Sequence, residues 1–180
     1  MNANPADLFV QDIRIQARKL KELADKAIAQ VRDEDLTVVL DPEANSIAII
    51  VQHLAGNLRS RWTDFLTSDG EKPDRDRDAE FEAHDGSVRA ALLAAWDDGW
   101  GCLFSTLDGL TAEDLGKTIT IRSEPHSVVQ AVNRGLTHAA YHVGQIVLLA
   151  KHFASADWKT LSIPRKQSRQ FTEAMRRGER

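Results

Sequence analysis

The 180-residue chain has one cysteine, Cys102, one tyrosine, five prolines and no long apolar run. A lone cysteine excludes an intramolecular disulfide framework and suits a reducing compartment. The longest apolar stretches, such as Ile47 to Val51 and Ile146 to Ala150, fall far short of the about 20 residues that a membrane-spanning helix requires. The first residues, Met-Asn-Ala-Asn-Pro-Ala-Asp, carry neither the basic nor the apolar region of a secretory signal, so a cytoplasmic protein is expected. An excess of positive charge is also missing. With 23 Lys and Arg against 27 Asp and Glu, the formal charge is -4, and no dense basic stripe offers nucleic acid the clustered cations that binding needs. What remains, 42% hydrophobic and 28% charged, fits one globular domain over residues 1–180. A chain of this size buries roughly 70% of its unfolded surface and folds without disulfides or a structural metal.

Apolar residues recur at helical spacing in four long stretches. Phe9, Ile13, Ala17, Leu20, Ala24, Ala27, Ile28 and Val31 mark an amphipathic helix over 5–32. Ser46 is placed to cap a second, through Ile47, Ile50, Val51, Leu54, Leu58, Trp62 and Phe65, ending near Leu66. The charged stretch from Thr67 to Gly86, with Asp69-Gly70 and Pro73, reads as a long loop. A third helix is expected over 87–107 and a fourth over 127–153. Between them, Thr111 to Asp114 looks like a capped turn, and Thr118 to Ile121 alternates like one arm of a hairpin. Residues 154–180 form a polar tail with apolar anchors Trp158, Leu161 and Ile163 and a short helix around Phe171 to Met175. The expected architecture is therefore all-α: a four-helix bundle over about 5–153, with a β-hairpin-like connection before the last long helix and a C-terminal tail.

Histidines carry the chemistry. His138 and His142 stand four apart on the fourth helix, so both imidazoles project from one face within reach of one metal ion. Both lie on the flank of the apolar stripe, and His53 occupies the corresponding flank of the second helix. Three imidazoles bordering two apolar seams can converge at the bundle core, and three protein nitrogens leave coordination positions open, as in catalytic metal sites. The alternative is three unrelated boundary histidines, each hydrogen-bonded.

A resemblance adds to this reading. His53 together with His138-Ala-Ala-Tyr-His142 resembles the metal-binding four-helix bundles of the DinB/YfiT-like superfamily. The segments Asn57 to Pro73, Ile121 to Ser127, His138 to Gln145 and Leu161 to Ser168 are similar to its branch of uncharacterised bacterial proteins called DUF1572. The resemblance implies a divalent ion, nickel or zinc, on His53, His138 and His142, and chemistry on low-molecular-weight thiols in some members. It also suggests a homodimer paired through long helices. Lys166 stands where a glycine is expected, and the residues before His53 lack the aromatics often found there.

Around the triad, Asn57 and Arg61 follow His53 at four-residue steps and are candidates to line its cleft and bind an anionic group; bracing of the neighbouring loop is the alternative. Gln145 and Tyr141 are candidates for supporting hydrogen bonds. The acidic loop from Asp69 to Asp85 is a candidate source of a fourth carboxylate ligand, with a solvated charged face as the usual alternative. Cys102 has no neighbouring base to activate it, His84 and His126 read as turn residues, and Trp62, Trp96, Trp100 and Trp158 as core and lid. The functions that fit are a metal-dependent enzyme activating a small thiol, a metal-dependent hydrolase, or a non-catalytic metal- or ligand-binding protein of stress response.

Overall fold

The computed structural model describes residues 4–82 and 89–179. Four long helices, α1 (Pro5–Ile28), α2 (Ile47–Trp62), α3 (Arg89–Gly109) and α4 (Val128–Ala154), build the bundle. A two-stranded antiparallel hairpin, β1 (Thr118–Ile121) and β2 (Glu124–Ser127), precedes α4, and a short helix α5 (Ser168–Arg176) lies in the tail. α2 packs closely on α3 and α1 on α4, while contacts of α2 with α4 and α1 with α3 complete the ring. Helices consecutive in sequence, α1 and α2, are thus not the principal partners, and their connection carries the chain across the bundle.

The helix starts follow capping chemistry. Asn4 Oδ1 accepts from the Ala6 amide at 3.1 Å ahead of Pro5, whose missing N–H costs nothing in the first turn. Ser46 Oγ accepts from Ile49 N at 3.2 Å, and Ser127 exchanges hydrogen bonds with Gln130 in a capping box.

Two helix ends come earlier than the apolar periodicity suggests. α1 stops at Ile28 rather than 32 because Arg89 donates to the carbonyls of Ile28 and Val31, satisfying them outside the helix while Val31 stays buried. α2 stops at Trp62 rather than 66 because Thr106 of α3 takes the Trp62 carbonyl at 2.6 Å and the chain turns through Asp64 at φ 48°. Phe65 still reaches the core, stacked on Trp62 at 4.8 Å. In both cases burial outlasts the helix, so periodicity overshoots. The expected start of the third helix at Ser87, and His84, lie outside the described residues.

The core runs through all four helices, with Trp96 and Trp100 fully enclosed. Each such ring contributes about 2–3 kcal/mol of burial. Of the expected tail anchors, Trp158 and Leu161 pack against this core, whereas Ile163 is exposed. Lys166 has φ 68°, the left-handed backbone that glycine adopts most easily.

The long loop after α2 is stapled to the hairpin. Arg122 and Ser123 at the hairpin tip both have positive φ, 55° and 63°, as a two-residue turn of this hand requires. Neither is glycine, and Asp69 compensates: Oδ1 accepts from Arg122 N at 2.8 Å and Glu71 N at 2.7 Å, Oδ2 from Ser123 N at 2.7 Å. These backbone donors, those of Glu71 and Ser123 foremost, hold the Asp69 carboxyl down at about 2. Gly70 N donates to Thr120 O at 2.8 Å beside it. The staple draws residues 69–82 and the hairpin together over the face where α2 meets α4.

Candidate metal centre

His53 on α2 and His138 and His142 on α4 face one another across that seam, each offering a ring nitrogen so that all three atoms lie within 4.8 Å of one another. The ring centroids are 5.3 Å (His53–His138), 5.0 Å (His53–His142) and 4.7 Å (His138–His142) apart, and all pairs meet edge-on. His53 and His142 are buried and His138 partly so.

Hydrogen bonds set which nitrogen faces inward. His53 Nδ1 lies 2.9 Å from Glu80 Oε2. Burial pushes the Glu80 carboxyl up, but Arg75 and His53 outweigh it and hold the group ionised below its usual range. An ionised carboxylate accepts, so His53 Nδ1 donates and Nε2 keeps its lone pair toward the centre. His142 repeats the arrangement: Nδ1 donates to Gln145 Oε1 at 2.8 Å, which leaves Nε2 as an acceptor that is buried without a partner. His53 Nε2 and His138 Nε2 stand 3.3 Å apart. Burial, followed by the neighbouring charges of His142 and His53, pushes the His138 imidazole down to about 3, and burial also lowers His142. These rings are neutral at pH 7, the form that binds metal. An orphaned buried nitrogen and two lone pairs converging on one point fit a shared cation.

Glu80 lies in the acidic loop, whose sequence left a fourth ligand and a solvated face both open, and sequence reasoning did not single it out. Both of its oxygens are instead engaged, Oε2 with His53 and with Arg75 Nη2 at 2.8 Å, Oε1 with Arg75 Nε at 2.7 Å. Gly56, three residues beyond His53, makes the room: a Cβ there would stand 2.2 Å from Glu80 Oε1. Phe81 follows on, its ring 4.7 Å from that of His53.

A cavity of about 720 Å³ opens beside the three rings. Asn57 and Arg61 line it, with Trp62 and Phe65. Arg61 is nearly buried, pairs with Glu71 at 2.9 Å and has its Nη1 unpartnered. Gln145 sits behind His142 as its hydrogen-bond acceptor and is not among the lining residues. Tyr141 lines the mouth, half-exposed, with its ring 4.2 Å from that of His142. Cys102 lies apart, in a shallow pocket with Thr63 and Asp98, where Thr63 Oγ1 donates to its sulfur at 3.8 Å. His126 on the hairpin bridges Glu124 O and Arg134 of α4, and His152 is exposed near the end of α4.

Comparison with known families agrees with the chain-long extent of these features. The profile described as Protein of unknown function (DUF1572) matches residues 4–167. The chain belongs to this family. No curated protein matches it. The DUF1572 region takes in the bundle, the hairpin and the anchors Trp158 and Leu161, and ends just before α5. No helix among the described residues is long and apolar enough to cross a membrane.

Proposed function

We propose that this DUF1572 protein is a metal-dependent enzyme of the DinB/YfiT-like kind, with His53, His138 and His142 as ligands of one nickel or zinc ion. The observation that carries the reading is the convergence of three imidazole nitrogens, two of them set by partners on the far side of the ring and one buried with nothing to bind. Neutral imidazoles suit both ions. A divalent ion so held supplies Lewis-acid activation of a thiol or a water at its open positions.

The protein's own part is orientation and enclosure. Glu80 and Gln145 fix two rings, Phe81 shields one, and the cavity admits a small molecule to the side that the ligands leave open. Its size lies within the range usual for small-ligand sites, which favours catalysis over a mere metal store or stress-response binding module. Among the described residues, no Asp or Glu lines the cavity. Hydrolysis would want such a base, whereas thiol transfer requires little further acid–base machinery, so transfer of a low-molecular-weight thiol is the preferred reaction.

The test has two stages. Protein loaded with nickel or zinc should hold about one equivalent per chain by elemental analysis, and His138→Ala or His142→Ala should abolish it. Unchanged stoichiometry in both variants removes the triad. Thiol transfer is then assayed on monochlorobimane with glutathione, mycothiol and bacillithiol. Rates equal in loaded protein and in His53→Ala leave the binding module as the better reading.

We also infer a homodimer through α1, where Leu8 and Ile15, seven residues apart on one stripe, are half-exposed. Light scattering should give twice the 20.0 kDa chain mass; a monomer at tens of micromolar refutes it.

A further inference from the structure

The cavity beside the triad has a charge that its position does not require. Arg61, Arg75, Arg77, Arg122 and Arg134 all line it, and among the described residues no Asp or Glu does. Two carboxylates back them. Glu71 pairs with Arg61 and Arg122, each at 2.9 Å, and with Arg75 at 3.5 Å, while Glu80 pairs with Arg75. Five guanidiniums thus line the cavity, and the only ion pairs they make among the described residues are with these two carboxylates. Among the described residues Arg77 and Arg134 have no carboxylate partner: the Arg77 guanidinium lies over the Phe81 ring, 5.1 Å from its centroid, and Arg134 donates to His126 Nε2 at 3.2 Å. Arg61 is committed to Glu71 through Nη2 and its Nη1 is closed off from the cavity, so the guanidiniums free to meet a ligand are the exposed ones. A concave surface with low-dielectric walls focuses such a field on whatever enters. The walls between the arginines are apolar, formed by Trp62, Phe65 and Ile121.

We propose that the cavity takes a small acidic substrate: an apolar body packs on Trp62 and Phe65, and a carboxylate or phosphate group is held by Arg122 and Arg134. This rests on the metal reading of the triad and adds the substrate class. The anion anchors one end of the molecule and turns the other toward His53, His138 and His142. Guanidinium forks match the paired oxygens of either anion, so the chemistry shared by the two is what the site recognises.

The test is calorimetric titration of the metal-free full chain with 2-naphthyl phosphate, 2-naphthoate and neutral 2-naphthol, with metal content measured in parallel. At least one anion should bind about tenfold more tightly than naphthol, with an affinity that falls as salt rises. Arg122 and Arg134 are exposed, so Arg122→Gln and Arg134→Gln fold normally. Each should weaken the anion about five- to tenfold and leave naphthol unchanged, whereas Arg18→Gln, at a pair with Asp108 on the bundle surface, should change neither. The phosphate-to-carboxylate ratio then shows which anion the site prefers. Anions that bind no better than naphthol, or arginine variants that behave like Arg18→Gln, overturn the proposal. His53→Ala should lose metal and keep the anion preference. A wild-type chain that prefers anions but takes up no metal refutes the metal reading alone, and one that takes up metal without preferring anions refutes this proposal alone.

Discussion

At the scale of single residues, the candidate site depends on what lies behind its three histidines. His138 and His142 could be read from the chain because the contact they make is within one helix, and spacing determines it. His53 required helical phase. Glu80 could not be read: it lies 27 residues from His53 in a loop that also carries Asp74, Asp76, Asp78 and Glu82, and nothing local distinguishes one acid from another. The available signal was indirect, a glycine one helical turn beyond His53, since a missing side chain beside a ligand allows another group to approach. Arg75 ties Glu80 in place with its own side chain only 5% exposed. Glu80→Gln keeps the shape but removes the charge, leaving this guanidinium with only the more distant Glu71. The expected loss is about 3 kcal/mol of stability, together with about 10- to 100-fold in metal affinity because His53 is no longer held by an anion. Chelator competition and urea denaturation on the same samples separate the two effects. Stability lost with affinity unchanged would make Glu80 a support of the loop and nothing more.

At the scale of elements, sequence pattern located all four long helices and the hairpin, and overshot at the C-terminal ends of α1 and α2. Periodicity records burial, and Val31 and Phe65 are buried outside any helix because Arg89 and Thr106 take the carbonyls that would have continued it. The pattern also could not show how closely α2 and α3 approach. Gly99 is a point of close contact between them. A Cβ there would lie 2.8 Å from the Ala55 carbonyl oxygen and 3.0 Å from Ala55 Cα, both backbone atoms that move only with α2. Gly101, two residues on, has nothing within 4 Å. The two glycines therefore make a matched pair. Alanine gains about 1 kcal/mol of helix propensity at either, but at Gly99 overpacking of about 1–3 kcal/mol opposes it. Gly101→Ala should stabilise by up to about 1 kcal/mol and Gly99→Ala should destabilise by up to about 2 kcal/mol. Equal urea midpoints for the two variants would refute the close contact of α2 and α3.

At the scale of the whole molecule, the triad and the loop that supports it make the metal-free protein acid-sensitive in two stages. The folded state holds His138 down at about 3, by burial first and then by the charges of His142 and His53, and it also lowers His142. An unfolded histidine takes up its proton near 6.5, so below that pH the unfolded chain binds more protons than the folded one and stability falls as pH falls. The carboxylates respond later. Glu71 and Glu80 are lowered from 4.5, and Asp69 and Asp114 are each held at about 2 by their hydrogen bonds, so the stability they contribute is present above about 4.5 and is lost only below it. Between about pH 6.5 and 4.5 the histidines act alone. The urea midpoint of chelator-treated protein should therefore drop between about pH 7 and pH 5, and drop less in His138→Gln, which has no proton to gain there. An ion bound at the triad competes with protons for the same nitrogens, so nickel or zinc should raise the midpoint at pH 7 and lose that effect as the pH falls. Parallel pH profiles for wild type and His138→Gln would mean that the cluster is not held neutral by the fold, and the argument that its nitrogens stand ready for a metal would fail with it.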